Sequence, residues 1–151
     1  MINKTNQFNF TMFRCTEEDV RRIMLDSSYM TLYGCLSDVF GDNGIVSLMM
    51  GEKKHNILHI YLFVMSCRVF KRNMEFAMMD AAVQWCRENQ IERMMGYYIP
   101  GAKNKILKEK FAEFGFMKQE DDESGKSTWI LDISHYQNKN HVISLVEENR
   151  R

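Results

Sequence analysis

The stretch MSCRVFKRNMEFAMM, Met65 to Met79, places Arg68, Lys71 and Arg72 where an apolar, strand-like run gives way to a helix-like pattern. At such a junction successive backbone N–H groups and the positive end of the helix dipole converge on one point, which suits an anion such as a pyrophosphate. Every α/β protein has junctions of this kind, so the pattern alone leaves open whether this one holds a ligand. Cys67 sits beside the turn with Arg68 next to it, an arrangement that lowers a thiol pKa and favours a nucleophile; a single cysteine at a strand end also serves simply as a small buried residue. His55, His59, His135 and His141 show neither metal-ligand spacing nor an evident acid partner and read as surface or strand residues. Asp38, Asp42 and Asn43 could present a base to an amine, but FGDNG (Phe40 to Gly44) is also good turn chemistry and is read as a turn.

The elements around these residues follow from periodicity and caps. FNFTMFR (Phe8 to Arg14) alternates as a half-buried strand does, and Thr16 followed by Glu17, Glu18 and Asp19 caps a helix running to about Asp26. Met30–Asp38, Gly44–Met50 and Ile57–Met65 read as strands separated by FGDNG and GEKKHN, an antiparallel meander. From about Arg72 to Asn89 the apolar residues Met74, Ala77, Met78, Ala81, Ala82 and Trp85 keep helical spacing. Ile91–Ile99 is a strand ended by Pro100 and Gly101, Lys103–Phe114 an amphipathic helix, and strands near Phe116–Lys118 and Ser127–Ile133 follow. The order βα, βββ, αβ, αβ, β predicts an α/β fold with a mixed sheet: one parallel pair at the strand–helix–strand crossover and antiparallel pairs elsewhere. Residues 1–134 form one domain in this reading, and 135–151 a polar C-terminal extension.

Composition bounds the rest. The chain has 151 residues, 45% apolar and 12% aromatic, with one proline and eight glycines, which excludes disordered, collagenous and linker-like classes and fits a single packed domain. Twenty basic residues balance twenty acidic ones, so no global field is available to hold nucleic acid or an anionic membrane. His55 to Cys67, the longest uncharged stretch, is too short to span a bilayer, and MINKTNQFNF lacks the apolar core of a signal peptide; a cytoplasmic location is expected. Cys15, Cys35, Cys67 and Cys86 stand singly with no CxxC, the pattern of reduced thiols, and no metal is implied. The 13 methionines read as core filling.

KTNQFNFT (Lys4 to Thr11), DVFGDNGIVS (Asp38 to Ser47), MSCRVFKRNMEF (Met65 to Phe76), YIPGAKN (Tyr98 to Asn104) and FAEFGF (Phe111 to Phe116), in that order, closely resemble the C-terminal domain of FkbH-like proteins. Such proteins pair a phosphatase-type haloacid-dehalogenase (HAD) domain with a domain of the GNAT acyltransferase superfamily, and those characterised act on carrier-protein-bound glyceryl units in methoxymalonyl extender-unit biosynthesis. With no DxDxT nucleophile motif, this chain is expected to correspond to the second half alone.

The resemblance implies a GNAT fold and a pantetheine arm, from CoA, acetyl-CoA or a carrier-protein phosphopantetheine, lying in the splay between the fourth and fifth strands. It implies that the R/QxxGxG/A turn of that superfamily, which cradles the CoA pyrophosphate, falls on Arg68, Val69, Phe70, Lys71, Arg72 and Asn73, with Cys67 and Met74 flanking it. Both glycine positions are replaced, by Lys71 and Asn73; asparagine tolerates positive φ better than most residues, and lysine could supply charge instead. Asn104 matches a cofactor-contacting asparagine. Phe111 falls where many such enzymes carry the tyrosine that protonates the departing thiolate, leaving Tyr97, Tyr98, Cys67 or water to fill that role. Gly101 stands where relatives commonly have threonine. Acyl transfer or acyl-thioester binding is the implied function. The alternative is a catalytically degenerate docking domain that recognises an acyl carrier protein or a HAD-type partner domain, a reading that the loss of the tyrosine at Phe111 favours.

Overall fold

The computed structural model describes residues 8–10, 16–38, 41–66, 73–102 and 104–139. Thr16 caps the first helix, α1 (Glu17–Leu25): its side chain accepts from the Asp19 N–H while the Asp19 carboxylate accepts from the Thr16 N–H, satisfying two end donors at once. Strands β2 (Tyr29–Asp38), β3 (Gly41–Lys54) and β4 (Ile57–Met65) form the antiparallel meander. β3 is longer than its apolar core predicts. Asp42 pairs with Ser37 of β2, and Glu52 to Lys54 of GEKK pair with His59 to Ile57 of β4, so a neighbouring strand at each end satisfies backbone groups that the side-chain pattern does not reveal.

A register shift sets the pattern on β4. Met50 pairs with Leu62 but Gly51 with Ile60, so Tyr61 is the extra residue of a bulge and the in–out alternation changes phase there. Leu58, Ile60, Phe63 and Met65 join the main core, whereas Leu62 and Val64 join a smaller cluster with Met50, Leu48 and Ile23.

The central helix, α2 (Met74–Glu88), packs Met74, Ala77, Met78, Met79, Ala82, Val83 and Cys86 into the main core. Ala81 and Trp85 of the predicted stripe are only half-buried, and Met79, Val83 and Cys86 are buried beside it: the helix presents a wider face than a single stripe. β5 (Arg93–Tyr98) follows and runs parallel to β4, the strand–helix–strand crossover expected. The predicted helix over 103–114 is instead a 3₁₀ turn, Lys105–Leu107, and a single α-helical turn, α3 (Lys110–Glu113). Leu107, Lys110, Phe111 and Phe114 still face inward, so the helical spacing of buried positions is kept without a continuous helix.

β6 (Met117–Asp121) and β7 (Ser127–Asp132) form a hairpin, and the strand order is β2-β3-β4-β5-β7-β6, antiparallel except at β4–β5. Past β7 the chain stays attached. Tyr136 is buried, its hydroxyl donates to Asp80 of α2 at 2.5 Å, the Lys139 N–H donates to the same carboxylate at 3.0 Å, and Arg87 donates to the Tyr136 carbonyl at 2.9 Å.

The N-terminal strand β1 (Phe8–Asn9) does not extend the meander. It lies antiparallel against the far end of β4, Phe8 opposite Met65 and Asn9 opposite Val64. The rest of the predicted strand, from Thr11 to Arg14, lies outside the described residues.

Candidate functional site at the open end of the β4–β5 pair

β4 and β5 pair from Ile57–Arg93 to Ile60–Gly96 and then part, β4 continuing to Met65 and β5 to Tyr98. Residues 8–10 lie in the gap: besides the β1–β4 pairing, the Ile99 N–H donates to the Phe10 carbonyl at 2.8 Å. Asn104 ties the gap shut. Its amide nitrogen donates to the Asn9 and Ile99 carbonyls, each at 2.9 Å, and its oxygen accepts from the Gly101 N–H at 2.7 Å and from the Tyr98 hydroxyl at 3.4 Å. Both Asn104 and Asn9 have no exposed surface.

Phe111 is 1% exposed, with its ring centroid 4.4 Å from Phe10 and 4.9 Å from Phe116, and with Trp129 and Phe114 beyond. Gly96 makes room for it: a Cβ there would stand 2.5 Å from the ring's Cε1 and Cζ.

On the neighbouring wall the sheet opens into a cavity of about 720 Å³. Tyr61 of β4, Tyr97, Tyr98 and Ile99 at the end of β5, and Glu120 to Asp122 and Lys126 to Thr128 of the β6–β7 hairpin line it. The Tyr97 hydroxyl lies 2.6 Å from His59 Nδ1, and the His59, Tyr61 and Tyr97 rings form a triangle with centroids 6.0 to 6.2 Å apart. Burial lowers the His59 pKa from its ordinary value, Lys54 lowers it further, and Glu52 works the other way. Burial raises the Tyr97 and Tyr98 hydroxyls, so both remain protonated phenols at neutral pH.

At the start of α2, Asn73 has φ 69° and ψ 4°, the left-handed conformation, and its side chain makes no cap bond. One turn in, Glu75 is buried at 2% exposure with Lys110 Nζ 3.4 Å from its Oε1, and that ammonium also stands 5.2 Å above the Phe76 ring. Cys86, deep in α2, is pushed up to about 12 by burial and is chemically inert.

The structure places Tyr97 and Tyr98 at the end of β5, Asn104 and Phe111 in the segment that follows it, and Asn73 and Met74 at the start of α2. Cys67, Arg68, Val69, Phe70, Lys71 and Arg72 lie outside the described residues. Sequence reading missed four participants. His59 reads as a strand residue because its partner is on another strand. Tyr61 gains its place from a bulge, and Glu75 with Lys110 is a pair 35 residues apart. The one sequence signal was the run of polar and aromatic residues, His59, Tyr61 and Tyr97, on otherwise apolar strands.

No family model and no curated protein matches the sequence. Solved structures do. The ribosomal-protein-S18-alanine N-acetyltransferase of Escherichia coli superposes with a TM-score of 0.61 at 9% identity, over 86% of this chain and 84% of that one. The GNAT domain of Streptomyces lividans PAT gives 0.61 at 18% identity, over 79% and 70%. PaiA N-acetyltransferase of Thermoplasma acidophilum, solved in complex with coenzyme A, gives 0.60 at 12% identity, over 76% and 67%. Likeness at these identities carries architecture and nothing finer. On the element order, the single parallel β4–β5 pair and these superpositions, the chain has the GNAT acetyltransferase fold.

Proposed function

We propose that this domain binds a pantetheine thioester, delivered by CoA or by a carrier protein, and transfers its acyl group, within an FkbH-like biosynthetic protein. The observation that supports this most is Asn73. It stands at the sixth position of the turn that, by resemblance, cradles pyrophosphate, and it adopts the positive φ for which glycine is the usual residue. Residue 73 thus has a glycine-like backbone without being glycine, at the N-terminus of a 15-residue helix whose dipole favours an anion. Arg68, Lys71 and Arg72 would add side-chain charge there, and Lys71 would compensate for the other missing glycine.

In acyl transfer the acceptor's lone pair attacks the thioester carbon, the C–S bond breaks with its electrons on sulfur, the acceptor loses a proton and the sulfur gains one. A β4 backbone N–H near Cys67 would polarise the carbonyl, and alignment of the two reactants supplies much of the rate. Of the two tyrosines proposed for proton movement, Tyr98 spends its hydroxyl on Asn104 inside the core, whereas Tyr97 faces the cavity with a histidine behind it.

A second reading has its own support. Phe111 offers no proton, and residues 8–10 already lie along β4 where an arm would enter, which suits a docking domain recognising a carrier protein or a phosphatase-type partner. Calorimetry with CoA, with a phosphopantetheinylated carrier protein and with the same carrier lacking its arm separates the two. Arm-dependent binding and CoA binding that weakens as salt rises support the thioester site; equal binding of both carriers with no CoA binding supports docking.

A further inference from the structure

Glu75 places a charge on an otherwise apolar face. It shares its side of α2 with Met79, Ala82 and Cys86, at i+4, i+7 and i+11, none of which has exposed surface. One carboxylate oxygen, Oε1, has the Lys110 ammonium at 3.4 Å; the other, Oε2, is buried with no hydrogen-bond partner. The ammonium is enclosed as well. The Phe76 ring lies 5.2 Å and the Phe114 ring 5.8 Å from it, the two rings meet edge to face, and a second carboxylate, Glu113 at 3.5 Å, is more than half exposed.

Such a pair does little for stability. Taking two charges out of water costs about as much as their attraction returns, and an apolar pair of the same size would serve the packing as well. What the pair does change is the field at the start of α2. Glu75 is the second residue of that helix, and the first helical bond, from the Ala77 N–H to the Asn73 carbonyl at 3.1 Å, leaves the N–H groups of Met74 to Phe76 ahead of it. A carboxylate in this first turn draws on the same dipole that an anion at the turn would use, and it repels that anion. Lys110 cancels the repulsion from the α3 side. Because both charges are buried, dissolved salt screens them little.

We propose that Glu75 and Lys110 together set the anion affinity of the turn ahead of α2, Glu75 opposing a phosphate there and Lys110 offsetting Glu75. Both act through the field at the helix N-terminus rather than by contact, so they discriminate between ligands by charge and leave a neutral arm unaffected. The inference rests on the thioester reading for the place of the anion.

The test is an NMR titration of the full chain, read at the amides of Asn73 to Phe76, with inorganic pyrophosphate, with CoA and with pantetheine, an arm that carries no phosphate. Glu75→Gln is expected to tighten pyrophosphate and CoA about three- to tenfold, and Lys110→Gln to weaken them by a similar factor. The double variant Glu75→Gln/Lys110→Gln lies near the unaltered chain, and pantetheine binds alike in all four. Each single substitution also lowers the unfolding midpoint in denaturant, because it leaves the other member of the pair buried without its partner. A gain in affinity alongside a loss of stability is therefore the signature of the field, and Glu75→Gln, the milder change, decides the matter alone. Affinity that falls in both single variants, affinity indifferent to both, or pantetheine binding that changes in step with pyrophosphate would overturn the proposal and leave the thioester reading standing. Pyrophosphate binding with the opposite signs expected, but no CoA binding, removes the thioester reading alone. Unmoved amides with both ligands in every variant remove the two together.

Discussion

Two regions meet at the end of β5, and they use the same kinds of residue in opposite ways. In the gap between β4 and β5, Asn9, Phe10, Asn104 and Phe111 are buried, and the Asn104 amide is spent on backbone groups. A few ångströms of strand away, Tyr97 is only half-buried, faces a cavity of about 720 Å³ and has its hydroxyl on a histidine. Both regions are rich in aromatic rings, so residue type alone does not mark the chemical one. What separates them is whether the polar atoms have finished their work within the fold.

That contrast is sharpest in stability. Phe111→Ala is expected to cost about 3 to 5 kcal/mol, measured by denaturant unfolding, because the cavity it leaves is walled by Phe10, Phe116 and Trp129. Tyr97→Phe, which removes one partly exposed hydrogen bond, is expected to cost about 0.5 to 1.5 kcal/mol. Equal losses at the two positions would erase the distinction between the regions.

Asn104→Ala is expected to cost about 2 to 3 kcal/mol, since it strands the Gly101 N–H and the Asn9 and Ile99 carbonyls. Faster hydrogen exchange at Ile99 would report that β1 has loosened. Gly96→Ala drives a methyl into the Phe111 ring and is expected to cost about 1 to 3 kcal/mol; pairing it with Phe111→Leu recovers part of the loss. Phe111→Tyr places a hydroxyl in the same apolar cluster. It is expected to destabilise by about 1 to 3 kcal/mol and to leave thiol release from an acyl-CoA unchanged. A gain in thiol release would show that the ring's tip does reach the reacting centre.

The smallest effect concerns pH. His59 in the folded chain titrates below its ordinary value, chiefly through burial, so between the folded and unfolded midpoints the unfolded chain binds more protons. The stability associated with a neutral His59 is present above about pH 6.5 and is lost as pH falls through the folded midpoint. Lys54→Met removes a cation that depresses it, and the imidazole midpoint followed by NMR is expected to move up.

The order of elements could be read from the chain because each step is local. Thr16 caps α1, Asn89 follows the last turn of α2, and the continuous apolar run Ile57–Met65, preceded by the turn-rich GEKKHN, reads as a buried strand. The failures were non-local. The bulge at Tyr61 depends on how β3 pairs, the insertion of residues 8–10 beside β4 depends on where β4 and β5 part, and the split of the 103–114 segment accompanies the binding of Asn104 to backbone on both sides of it. For the site, a turn motif identifies positions but not their conformations. The left-handed Asn73 and the His59–Tyr97 contact required a fold to bring them into view.

The proposed thioester site requires the turn ahead of α2 to hold a pantetheine-linked pyrophosphate. An NMR titration of the full chain with CoA tests it most directly, read at the amides of Asn73 to Phe76. Saturable shifts centred on these amides are expected, weakening as salt rises and abolished by Lys71→Glu with Arg72→Glu. Unmoved amides at millimolar CoA, or shifts confined to other parts of the chain, would contradict it.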